Sequence, residues 1–94
     1  MSDPLSLLGL AMRKGDTVFG VKQVIEHIQK TRRTIVFLAK DTGDNTAKKI
    51  RDKCNTYNIT LYDTYTSDQL SDAIGKENVK VIALKDSSLL NAFK

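Results

Sequence analysis

Between Thr17 and Asp41 the chain reads TVFGVKQVIEHIQKTRRTIVFLAKD, and two incompatible periodicities follow one another there. Val21, Val24, Ile25 and Ile28 recur at i, i+3, i+4 and i+7, the one-sided pattern of an α-helix. Lys22, Gln23, Glu26, Gln29 and Lys30 are left for water. Thr34 to Ala39 shows no alternation at all: it is continuously apolar and β-branched at its start, which predicts a strand covered on both faces. A strand buried on both sides, fed by an amphipathic helix, requires a sheet with helices above and below it.

The remainder of the chain repeats this alternation. Asp3-Pro4 forms an N-cap with proline at the first helical position, Leu5, Leu8 and Met12 follow at helical spacing, and Gly15 stops that helix. Asp41 to Thr46 is a turn rich in capping residues, opening a helix with Ala47, Ile50, Cys54 and Tyr57 on its apolar stripe. Ile59 to Tyr65 reads as a strand. Ser67 caps a short helix carrying Leu70, Ala73 and Ile74, and Gly75 ends it. Val79 to Leu84 is a further strand, and Asp86 or Ser87 starts a terminal helix with Leu89, Leu90 and Phe93 inward. With 94 residues there is material for one core, not two. The expectation is a single domain over residues 1–94, a three-layer α/β/α sandwich with a mixed four-stranded sheet.

The junction at Gly20 carries the functional signal. Glycine lets backbone approach a ligand, and Val21, Lys22 and Gln23 fall in the first helical turn, where free N–H groups and the helix dipole favour an anion. Lys22 adds a cation and Gln23 a group that both donates and accepts hydrogen bonds. Charge agrees: residues 13–53 hold eleven bases against five acids, a surplus of +6 in a chain whose total is +4. Such a surplus attracts nucleic acid by phosphate neutralisation, although a basic helix face is also an ordinary solvated surface.

Catalytic patterns are missing. His27, the sole histidine, lies between Glu26 and Ile28 with no nucleophile identifiable beside it. Cys54, the sole cysteine, fits the buried stripe of its helix, although Lys53 beside it could lower its pKa. The carboxylates show no metal-ligand spacing, and neither a P-loop nor a dinucleotide-binding glycine pattern occurs. Tyr57, Tyr62 and Tyr65 suit core or rim packing better than base stacking. No catalytic residue, metal, cofactor or small-molecule substrate is implied. One cysteine, no signal-peptide pattern and no membrane-length apolar run make the cytoplasm the expected setting, with no membrane partner.

Four blocks in order then resemble a known family: Leu8-Gly9-Leu10-Ala11 with Arg13-Lys14-Gly15; Gly20-Val21-Lys22-Gln23; Leu38-Ala39-Lys40-Asp41; and Asn45-Thr46-Ala47-Lys48-Lys49 through Asp52-Lys53-Cys54. Leu70, Ala73-Ile74-Gly75 and Lys76 resemble a later element of the same family. It is that of the kink-turn RNA-binding ribosomal proteins, including large-subunit proteins seven-Ae and thirty-e. The nearest resemblance is to its small bacterial ribosome-associated members. The resemblance implies an RNA site made of the helix mouth at Gly20, Val21, Lys22 and Gln23, a second loop containing Lys40, Thr42 and Gly43, and a third containing Lys76, Glu77 and Asn78. Where many members read the guanines of tandem sheared G·A pairs with Asn-Glu, this chain has Lys22 and Gln23, as in the thirty-e branch. It differs further in carrying Glu26 for a common lysine, Ser71 for a glycine, Thr66-Ser67-Asp68 for a Ser-Lys pair, and a third loop more polar than usual.

The function these readings predict is a non-catalytic RNA-binding protein of the cytoplasm, docking on structured, kink-turn-like RNA of ribosomal or regulatory kind, with ribosomal proteins as further neighbours. A protein-interaction module on the same fold is the alternative, and a small enzyme built on Cys54 or His27 a more distant one.

Overall fold

The computed structural model describes residues 4–31 and 34–85. Its elements follow in the order α1 (Pro4–Arg13), β1 (Thr17–Phe19), α2 (Val21–Lys30), β2 (Ile35–Leu38), α3 (Asp44–Thr56), β3 (Thr60–Tyr62), α4 (Ser67–Ile74) and β4 (Val81–Leu84). The predicted alternation holds throughout these residues. Asp3, and the terminal helix expected from Asp86 or Ser87, lie outside them.

The sheet order is β1-β4-β2-β3. β4 runs antiparallel to both neighbours, with Val18 opposite Ala83 and Val36 opposite Ala83, while β2 and β3 are parallel, with Val36 opposite Leu61. The sheet is therefore mixed, and β1, β2 and β3 all run the same way. Every residue of β4 is buried, as a central strand with helices on both faces must be.

Alternate residues along β2 and β4 separate two apolar layers. Phe37, Ile82 and Leu84 pack with Leu8 and Ala11 of α1 and Leu70 and Ile74 of α4. Val36, Leu38, Val81 and Ala83 pack on the other face with Val24 and Ile28 of α2 and Ile50 and Cys54 of α3. This is the expected three-layer sandwich. Close crossing of α1 over α4 depends on Gly9, where an added Cβ would stand 3.0 Å from the Ala73 carbonyl oxygen. Tyr62 and Tyr65 stack towards Phe37 at 5.3 and 6.5 Å between ring centres, at the half-buried rim of the core.

Two local expectations are corrected. The cap of α4 is Thr66, not Ser67: its Oγ1 accepts from the Gln69 N–H at 3.2 Å while the Gln69 side chain accepts from the Thr66 N–H at 2.9 Å. Ser67 lies one residue inside the helix, where the Asp41 carboxylate accepts from its N–H and hydroxyl. The strand expected over Ile59–Tyr65 pairs only at Thr60–Tyr62, since β3 is the sheet edge and has one partner.

Candidate nucleic-acid interface

Because β1, β2 and β3 end at one side of the sheet, the helices that follow them all begin there. The positive ends of α2, α3 and α4 thus gather at the end where β4 begins. They are not equivalent. At α4 the first turn is satisfied internally: the Asp41 carboxylate accepts from the Ser67 N–H at 2.7 Å and from the Ser67 hydroxyl at 2.6 Å. Those bonds, above all the hydroxyl's, hold the Asp41 carboxyl below its ordinary value. The N-caps of α2 and α3, Gly20 and Gly43, make no side-chain capping bond. Two helix mouths therefore keep backbone donors for an outside acceptor.

Gly20 has φ +96° and ψ 144°, a conformation close to glycine-only. An added Cβ there would sit 2.7 Å from Gln23 Oε1, so the Gln23 side chain folds back over the glycine. Lys22 and Gln23 are exposed and Val21 half-buried. The Gly20 N–H donates to the Val81 carbonyl at 3.2 Å, fastening this mouth to the start of β4.

The other two predicted loops meet the same strand start. The Ala39 N–H donates to the Lys80 carbonyl at 2.7 Å and the Lys40 N–H to the Tyr65 carbonyl at 2.8 Å. The turn beyond is closed by Thr42, whose hydroxyl donates to the Ala39 carbonyl at 2.6 Å. Lys40 and Gly43 are exposed and Thr42 half-buried. Lys80 Nζ lies 3.8 Å from Asp41, bridging the second loop to the third. In the third loop Lys76, Glu77 and Asn78 are exposed, and Asn78 takes φ +56°. That loop is anchored by Ser71, a buried side chain whose Oγ accepts from the Val79 N–H at 2.9 Å. Ser71 thus has a structural use.

A cleft of 190 Å³ joins the first and third loops, with Phe19, Gly20 and Val21 on one wall and Glu77, Asn78 and Lys80 on the other. Phe19 and Lys80 were not foreseen. Phe19 is exposed at 37%, unusual for a phenylalanine, and Lys76 Nζ stands 5.9 Å from its ring centre, within cation–π range. Its position beside Gly20 was the available signal. A larger concavity of 700 Å³ lies between α1 and α4, with Ser6, Arg13, Gln69 and Asp72 as its polar lining.

Neither reactive side chain is near the mouth or poised for chemistry. Burial in the α3 layer pushes the Cys54 thiol up to about 11, overriding any pull from Lys53. His27 faces the Leu84 carbonyl, and burial lowers its pKa. Among the described residues no cluster of side chains could hold a metal ion, and no helix is long and apolar enough to cross a membrane.

Comparison with known proteins gives a consistent answer. Two curated relatives are both named RNA-binding protein YlxQ. The one from Bacillus subtilis is 40% identical over 85 residues, 90% of this chain and 85% of its own length. That from Enterococcus faecium is 32% identical over 90 residues, 96% of this chain and 86% of its own. A solved Bacillus halodurans protein of unknown function superposes with a TM-score of 0.87 at 39% identity, covering 94% of this chain and 89% of that one. The Giardia lamblia 15.5kD RNA binding protein superposes with a TM-score of 0.81 at 13% identity, covering 94% and 75%, a likeness of fold alone. Residues 4–93 match a single family description, so the fold, the ordered blocks and the relatives converge: the chain belongs to the ribosomal protein L7Ae/L30e/S12e/Gadd45 family.

Proposed function

We propose that this chain is a non-catalytic RNA-binding protein that recognises structured, kink-turn-like RNA, acting as one unit in the cytoplasm and in association with the ribosome. The observation that carries the reading is the gathering of two uncapped helix mouths and three exposed loops around the start of β4. Phosphates set the register against backbone N–H groups and lysines, and Lys22 and Gln23 read base edges. Lys22 donates to guanine O6 or N7, and the Gln23 carbonyl accepts from guanine N–H groups. Lys40, Thr42 and Gly43 line the phosphate path on one side and Lys76, Glu77 and Asn78 on the other. The names of the curated relatives support RNA as the partner. A non-catalytic role is supported by a Cys54 thiol pushed up to about 11, the opposite of what a thiolate nucleophile needs.

The test is binding to a kink-turn RNA with tandem G·A pairs and to the same RNA with those pairs replaced by Watson–Crick pairs. Lys22→Ala and Gln23→Ala should each weaken the first by about 1–3 kcal/mol, the scale of a specific base contact, and leave the second nearly unchanged. Equal losses on both RNAs would reduce the mouth to one more patch of positive surface.

A further inference from the structure

The helix α3 carries positive charge outside the three loops of the mouth. Its polar face forms a shallow groove of 430 Å³ that includes Lys48, Lys49, Asp52 and Lys53. Among the described residues the ion pairs are Arg51 with Asp63, at 2.6 Å, and Lys80 with Asp41, so the three lysines of this groove are left unneutralised apart from Asp52.

Their direction follows from the helix itself. Ile50 and Cys54 point into the core. Arg51, one residue after Ile50 and about 100° round the helix, pairs with Asp63 just past β3, so that flank faces the β3 edge of the sheet. Lys49 and Lys53 each precede a buried residue, about 100° round in the opposite sense, so their flank is turned towards α2. Lys48 stands beside them on the outer surface. Since α2 and α3 both start at the mouth and pack on the same face of the sheet, this basic flank leads directly away from Gly20 and Lys22. The face from Asn45 to Thr56 extends about 16 Å, enough to follow several phosphates beyond a docked loop.

We propose that the Lys48–Lys49–Lys53 flank of α3 is a second contact surface, taking the phosphate backbone of the duplex stem that continues from the RNA element held at the mouth. This rests on the RNA-binding reading above and deepens it. The surface carries no aromatic or amide row suited to base edges, so it adds affinity and orientation, not sequence selectivity.

Two RNAs separate the possibilities: a kink-turn with a short closing stem, and the same RNA with that stem lengthened by one helical turn. The protein should bind the longer RNA about tenfold more tightly at low salt, with a log–log salt slope steeper by about 2, near 0.7–0.9 for each phosphate reached. Lys48→Gln, Lys49→Gln and Lys53→Gln combined should abolish that difference while leaving the short-stem affinity intact, and circular dichroism should show an unchanged fold. A wild-type protein that binds both RNAs equally, or a difference that survives the triple substitution, overturns the second surface alone. Binding to neither RNA overturns the reading of the mouth, and the second surface with it.

Discussion

Gly20 concentrates the demands of the site in one residue. Its φ of +96° is strained for any residue with a Cβ, and that Cβ would meet Gln23 Oε1 at 2.7 Å. The contact is with a flexible side-chain tip and can yield, whereas the backbone cannot. Gly20→Ala should therefore cost about 1–3 kcal/mol in urea denaturation through backbone strain, and it should displace the side chain of Gln23 and weaken RNA binding. His27 makes a second, pH-dependent demand. Its Nε2 is buried without a hydrogen-bond partner among the described residues, and desolvation lowers its pKa; the Leu84 carbonyl opposes this, and Lys85 and Lys30 add to it. The native state keeps the ring neutral while the unfolded chain takes up a proton near pH 6.5, so its share of stability is full above about that pH and is lost as pH falls towards the lowered native value. Urea midpoints should drop as pH falls below about 6.5, and His27→Gln should flatten that decline; an unaltered slope would show that other groups cause it.

At the scale of elements, α4 is the part whose role the sequence obscured. It is capped by Thr66 and Gln69, held to the second loop through Asp41 and Ser67, and holds the third loop through Ser71. It ends at Gly75, whose left-handed conformation (φ +70°) turns the chain into that loop. One short helix thus fixes two of the three loops relative to each other. Ser71→Ala leaves the Val79 N–H buried without its acceptor, at a cost of about 1–3 kcal/mol. Hydrogen exchange should show faster loss of protection at Val79 and through residues 76–80 than in β2, where the sheet bonds are untouched. RNA affinity should fall with it, since the loop loses its fixed position. Protection unchanged at Val79 would mean that the loop is held by other contacts.

For the molecule as a whole, charge and topology cooperate. The surplus of +6 over residues 13–53 includes Lys22 and Lys30 of α2 and Lys48, Lys49, Arg51 and Lys53 of α3, two helices that start at the mouth, and the rest of the chain carries the balance of −2. RNA affinity should fall steeply with salt, by a log–log slope of about 0.7–0.9 per phosphate neutralised. A flat response to salt at constant pH would argue against an electrostatic interface and favour a protein partner for this end of the sheet.

The sequence by itself determined the layered fold and the place of its main features. Helical spacing at Val21–Ile28 and the unbroken apolar run ending at Ala39 admit only helices packed on a covered strand, and Gly20 beside Lys22 and Gln23 marked one helix mouth. These are local signals, because periodicity and glycine conformation are properties of a few consecutive residues. Strand order was not local. Whether β4 enters between β1 and β2 depends on pairings between residues far apart in the chain, such as Val18 and Val36 both opposite Ala83. That insertion is what brings Lys80 between Gly20 and Ala39, turns Ser71 from a departure into an anchor, and sets Phe19 beside Asn78. The cap at Thr66 is different: Gln69 three residues on completes a capping box that Ser67, with Leu70 at the same spacing, could not make, while Asp41, from 26 residues away, engages Ser67. Side-chain chemistry is written in the sequence, but which side chains face one another is settled by long-range pairing, and the interface at the start of β4 is built from such encounters.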